Sequence, residues 1–117
     1  MEKEEALNAL AALGQETRLD VFRLLVKAGA DGMTAGAISD ALDVRPNTLS
    51  THLGALSRSG LVQAERDGRS ICYRANLRTM QDLVTYLLQD CCGGNPELCA
   101  PFLNMMGPAS RDSANDC

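Results

Sequence analysis

The sequence predicts a mainly α-helical domain carrying one small β-hairpin, and three observations point there. Apolar residues recur at three- and four-residue spacing along several separate stretches, the signature of helices with one buried face. Two short β-prone runs flank Asp67-Gly68, a strong signal for a tight hairpin. The chain has 117 residues, 45% apolar and 22% charged, which is one globular domain's worth. With two Phe, two Tyr and no Trp, the core must be built from Leu, Val, Ile, Met and Ala. A domain this small buries a limited share of its surface, so pairing with a second copy would stabilise it.

Residues 4–13 (EEALNALAAL) are expected to form the first helix, with acids in the opening turn where the helix dipole favours them. After Gly14, a second helix is expected over 16–28, with Leu19, Phe22, Leu25 and Val26 as its apolar face. Gly29 and Asp31-Gly32 end it. Thr34 is placed to cap a short helix over 35–42, whose Ile38 and Leu42 point inward. Asp43-Val44-Arg45 then makes a tight connection. Pro46 opens a fourth helix, which runs to about Ser59 and is stopped by a left-handed Gly60. Val62–Glu65 and Ser70–Arg74 are the expected strands. A fifth helix over 77–91 carries Leu77, Met80, Leu83, Val84, Leu87 and Leu88 as an apolar stripe, and Gly93-Gly94 ends it. One domain is expected over residues 1–103, with 104–117 as a flexible tail.

The formal net charge of −4 hides an asymmetry. Residues 45–78 carry Arg45, Arg58, Arg66, Arg69, Arg74 and Arg78 against Glu65 and Asp67, a local charge of +4. A local basic patch is what meets phosphate, although a solvated charged face gives the same cluster. Two short helices joined by a three-residue turn, then a hairpin, make the pattern of a winged helix-turn-helix. On the fourth helix, at about 100° per residue, Leu49, Leu53 and Leu56 share one face. Asn47, Ser50 and Thr51 lie opposite, with Thr48 and His52 at the border. Short uncharged polar side chains there can enter a major groove and bond base edges; an ordinary solvent-facing helix side is the plainer alternative. Arg66 and Arg69 flank the hairpin tip, within reach of a backbone or minor groove. Arg45, Arg58 and Arg74 are candidates for phosphate contacts that position the domain without reading sequence.

The runs ALGQETRLDVFRLL and LDVRPNTLSTHLGALSRSGLVQAERDGRSICYRAN resemble the ArsR/SmtB family of dimeric metalloregulatory repressors, over about residues 6–76. The resemblance implies a homodimer whose first and last helices form the interface. It also implies binding to double-stranded operator DNA, and release when a metal or metalloid binds. A symmetric dimer is expected on an inverted-repeat operator. One arsenical site of the family, a Cys-x-Cys pair on the helix before the recognition helix, finds no thiol in GMTAGAISDALD. The family's zinc-type site on the last helix needs His, which that helix lacks here.

Five cysteines are unevenly placed: Cys91, Cys92 and Cys99 cluster in QDCCGGNPELC, while Cys72 and Cys117 stand apart. The acidic N-terminus is unlike a signal peptide and no apolar run approaches the roughly 18 residues that span a bilayer, so a cytoplasmic location is expected. In a reducing compartment, clustered thiols point to metal or redox chemistry rather than a disulfide framework. Thiolates suit soft, thiophilic ions. Gly93-Gly94 can release the helix end and Asn95-Pro96 can turn the chain back, letting the three thiols converge. Three sulfurs without an obvious fourth ligand suit As(III), or Sb(III), better than tetrahedral zinc. The layout is similar to arsenite-responsive family members with C-terminal thiol ligands. Packing is the alternative for Cys91, which lies on the apolar stripe, and is the expected role of Cys72; Cys117 is expected at a frayed terminus.

The expected function is therefore a DNA-binding transcriptional repressor that leaves its operator when trivalent arsenic binds Cys91, Cys92 and Cys99. Redox or persulfide sensing by the cysteines, or a zinc or cadmium response, are the alternatives within the same fold. Enzyme chemistry is disfavoured, since His52 is the only histidine and no nucleophile elbow, phosphate loop or dinucleotide fingerprint is present. No organic cofactor and no membrane partner is expected.

Overall fold

A computed structural model describes residues 1–89 of the chain. Along it follow α1 (Lys3–Leu13), α2 (Glu16–Ala28), a 3-10 turn (Gly29–Asp31), β1 (Met33–Thr34) and α3 (Ala35–Leu42). Then come α4 (Pro46–Arg58), β2 (Val62–Asp67), β3 (Ser70–Ala75) and α5 (Leu77–Leu88). Local chemistry sets most of these boundaries. The Glu2 backbone N–H donates to Glu5 Oε1 at 2.7 Å, one half of a capping box that opens α1. The Arg18 N–H donates to Gln15 Oε1 at the start of α2, and the Ala37 N–H donates to Thr34 Oγ1, as expected, at the start of α3. Pro46 is the first residue of α4, and Gly60 follows that helix with φ 84°.

The core is aliphatic, as the composition required. Val21, Phe22 and Leu25 of α2 meet Ile38 of α3, Leu49, Leu53 and Leu56 of α4, then Leu61, Val62 and Leu83. Two expectations about helix faces, those for α2 and α5, need correction. In α2 the buried face is Val21, Phe22 and Leu25, whereas Leu19 and Val26 are 44% and 42% exposed. On a helical wheel the latter two lie just past Phe22, at the outer edge of the face. In α1 the inward residues are Ala6, Ala9 and Ala12, small enough for close approach, and Leu7 and Leu10 face out. In α5 only Leu83 is fully buried, and the helix ends at Leu88, where Gln89 turns away with ψ 131°. The remainder of that expected helix, and the tail, lie outside the described residues.

The sheet has strand order β1-β3-β2 and is antiparallel throughout. Its first strand was not expected: Met33 pairs with Tyr73 and Thr34 with Cys72, in two residues too short to show any periodicity. The hairpin is tighter than expected. Asp67 pairs with Ser70, leaving Gly68-Arg69 as the two-residue turn. Gly68 takes φ 65° at the first central position, the arrangement of a type II′ turn, whose twist matches that of the strands.

Candidate nucleic-acid interface

The turn between α3 and α4 holds the two helices at a fixed angle. Asp43 adopts the left-handed conformation at φ 56° as the C-cap of α3. Asp tolerates that region better than most side chains do. The Val44 N–H donates to the Ser39 carbonyl at 3.1 Å, and Ser39 Oγ donates back to the Val44 carbonyl. The Leu49 N–H then donates to the Arg45 carbonyl at 2.8 Å, starting α4.

Burial of Leu49, Leu53 and Leu56 fixes how α4 is rotated. Asn47, Thr48, Ser50 and Thr51 are consequently exposed, and His52 is half-buried at the border. Asn47 Oδ1 accepts the Thr48 N–H at 3.0 Å, and Thr51 Oγ1 donates to the Asn47 carbonyl at 3.4 Å. The row is thus short, polar and uncharged along the first turns. An exposed arginine stands at each end: Arg45 as the N-cap residue, and Arg58, whose Nη1 lies 3.3 Å from where a Cβ on Gly54 would sit.

In the wing, Arg69 occupies the turn itself and Arg66 sits opposite Ile71, both exposed. Arg74, a candidate for phosphate contact, is engaged within the fold. Its Nε donates to the Ala30 carbonyl at 2.7 Å and its Nη1 pairs with Glu65 Oε1 at 2.7 Å. The residue is committed within the fold. Only the Glu65 contact had a signal in the sequence. Once the turn is Gly68-Arg69, Glu65 faces Cys72 and stands diagonal to Arg74, a cross-strand position where opposite charges meet.

Cys91, Cys92, Cys99 and Cys117 lie outside the described residues. Among those that are described, no group of three His, Cys, Asp or Glu residues is placed to hold a metal ion. Cys72 is buried on the central strand, as expected, with Sγ 3.5 Å from the Asp31 carbonyl oxygen.

Residues 13–63 match the family model described as a helix-turn-helix domain. The transcriptional repressor SdpR of Bacillus subtilis (strain 168) is 31% identical over 81 residues, covering 69% of this chain and 87% of SdpR. A putative arsenical resistance operon repressor, ArsR, of Halobacterium salinarum is 33% identical over 75 residues, covering 64% of this chain and 57% of that protein. Among solved structures, an ArsR-like transcriptional regulator from Rhodococcus sp. RHA1 superposes with a TM-score of 0.69 at 26% identity. That match covers 92% of this chain and 96% of the other. No helix among the described residues is long and apolar enough to cross a membrane. The fold, the rotation of α4 and these likenesses agree: the chain belongs to the ArsR/SmtB family of winged helix-turn-helix, DNA-binding transcriptional regulators.

Proposed function

We propose that the protein is a homodimeric repressor that occupies an inverted-repeat operator and leaves it when As(III) binds Cys91, Cys92 and Cys99. The observation that carries the DNA half is the orientation of α4, whose three leucines are buried while a short polar row faces outward between Arg45 and Arg58. Asn47, Thr48, Ser50, Thr51 and His52 read base edges from that row. Arg45, Arg58, Arg66 and Arg69 meet phosphate and set the register of the domain on the duplex.

Pairing is supported by what the single chain leaves uncovered. Leu7 and Leu10 of α1 and Leu77 and Leu87 of α5 are all exposed, although both helices are otherwise packed. A two-fold partner presenting the same helices covers them and sets two copies of α4 into successive major grooves.

Release is supported by the chemistry of the three clustered thiols, which follow α5 in the chain, and by the likeness to the Halobacterium arsenical resistance regulator. A coupling of about 1–3 kcal/mol weakens operator affinity roughly 5- to 150-fold, and DNA weakens metalloid affinity by the same factor. Titrating fully reduced protein with arsenite, followed by arsenic–sulfur absorption in the ultraviolet, tests the site directly. One arsenic per chain, lost in each of Cys91→Ser, Cys92→Ser and Cys99→Ser, is the expected result. Undiminished binding in those variants contradicts the assignment.

The clustered thiols also support a second reading, in which thiol oxidation rather than metalloid binding releases the DNA. Release by peroxide or polysulfide in the absence of any metalloid distinguishes it.

A further inference from the structure

Arg74 joins the hairpin to a segment more than 40 residues earlier in the chain. Its Nε holds the carbonyl of Ala30, in the 3-10 turn that ends α2, and its Nη1 holds Glu65 on β2. Between these contacts its stem passes over Gly32: a Cβ there would lie 2.8 Å from Arg74 Cγ. The same short connection becomes β1, whose Thr34 pairs with Cys72 and caps α3, the first helix of the helix-turn-helix. One guanidinium therefore ties the wing to the segment from which the DNA-reading helices are hung. Only 17% of the Arg74 side chain is exposed, against 65% for Glu65.

We infer that Arg74 and Glu65 form a positioning pair that sets the wing's pitch against α4, so that Arg66 and Arg69 reach DNA in register with the recognition helix, and that Arg74 does not itself contact phosphate. The inference rests on the DNA-binding reading above and refines its residue roles. Lysine cannot replace Arg74 in this role, because one ammonium cannot reproduce two donors held in a planar fork. Glu65 contributes to DNA binding despite its negative charge, since it holds the arginine rather than facing phosphate.

Salt dependence separates a positioning residue from a phosphate ligand. Each phosphate contact adds about 0.9 to the slope of log affinity against log salt, whereas a residue acting through others changes affinity at constant slope. The experiment measures binding of wild type, R74K, R74Q, E65A and R69Q to a labelled fragment of the protein's own promoter across a salt series. Circular dichroism verifies that each variant is folded. R74K, R74Q and E65A are expected to bind more weakly by roughly two- to thirtyfold with an unchanged slope, the range typical of residues that act at a distance. R69Q lowers the slope by about 0.9. R74K binding like wild type, or E65A binding equally well or more tightly, overturns the inference. Should the Arg74 variants unfold, exposed Glu65 still decides the matter through E65A alone. If wild type binds no fragment at any salt concentration, the DNA-binding reading fails, and the inference fails with it.

Discussion

The backbone N–H of Asn76 donates to the carbonyl of Leu61 at 2.8 Å, joining the N-cap of α5 to the chain just beyond α4. The contact continues one turn on, where a Cβ added to Gly60 would lie 3.5 Å from Thr79 Oγ1. The first turn of α5 thus rests on the exit of the recognition helix. Asn76 also caps α5, its Oδ1 accepting the Thr79 N–H at 3.4 Å. Replacing Asn76 with Ala removes the cap and leaves the backbone tie. A loss of about 1 kcal/mol in urea unfolding is expected, with Asn76→Asp restoring most of it.

Gly32 is fixed by what crosses it. A Cβ there would lie 2.6 Å from Cys72 Sγ and 2.7 Å from the Tyr73 carbonyl oxygen, with the backbone already at φ 68°. Gly29 has nearly the same dihedral, φ 66°, and nothing within 4 Å. Gly29, with ψ −144°, sits in a region that is nearly glycine-only, so Gly29→Ala carries the conformational cost alone, about 1–3 kcal/mol. Gly32→Ala adds steric overlap with the central strand and is expected to be worse by more than about 1 kcal/mol. Equal midpoints for the two variants in chemical denaturation would remove the packing argument.

The helical frame was largely legible because its signals are local. The Thr34 cap, Pro46 at the start of α4 and the Leu49, Leu53 and Leu56 face each involve residues within a few positions of one another. What escaped was non-local. Met33–Thr34 is a strand only because Tyr73 and Cys72 lie beside it, and Arg74 is occupied only because Ala30 and Glu65 converge on it. In α1, alanines rather than leucines carry the helix's contact with its own chain. The polar row on α4 followed from the rotation that three buried leucines impose, whereas the cysteine cluster was legible only as composition and spacing.

Side chains on α4 and in the wing are expected to affect binding in different ways. Asn47→Ala and Thr51→Ala are each expected to weaken the preferred operator by about 1–3 kcal/mol, with little effect on non-specific DNA and none on the salt slope. Arg66→Gln lowers affinity for all sequences alike and reduces the slope by about 0.9. Competition binding with operator and unrelated duplex at three salt concentrations distinguishes the two patterns.

Leu10 and Leu87 are exposed on the single chain, so a charge at either position disturbs the monomer's fold little, within about 0.5 kcal/mol. In a dimer built on α1 and α5 the same charge is buried without a partner. Leu10→Glu and Leu87→Glu are accordingly expected to sediment as folded monomers and to lose operator affinity. Wild type sedimenting as a monomer at micromolar concentration would contradict the proposed interface.

The repressor reading rests most directly on operator release by the metalloid. Fluorescence anisotropy of the reduced protein on a labelled fragment of its own promoter, titrated with arsenite at fixed salt, measures that step alone. A complex that forms and is dissolved by micromolar arsenite, but persists in the Cys91→Ser, Cys92→Ser and Cys99→Ser variants, is the expected result. A complex that forms and is indifferent to arsenite contradicts metalloid sensing while leaving the winged helix on its DNA.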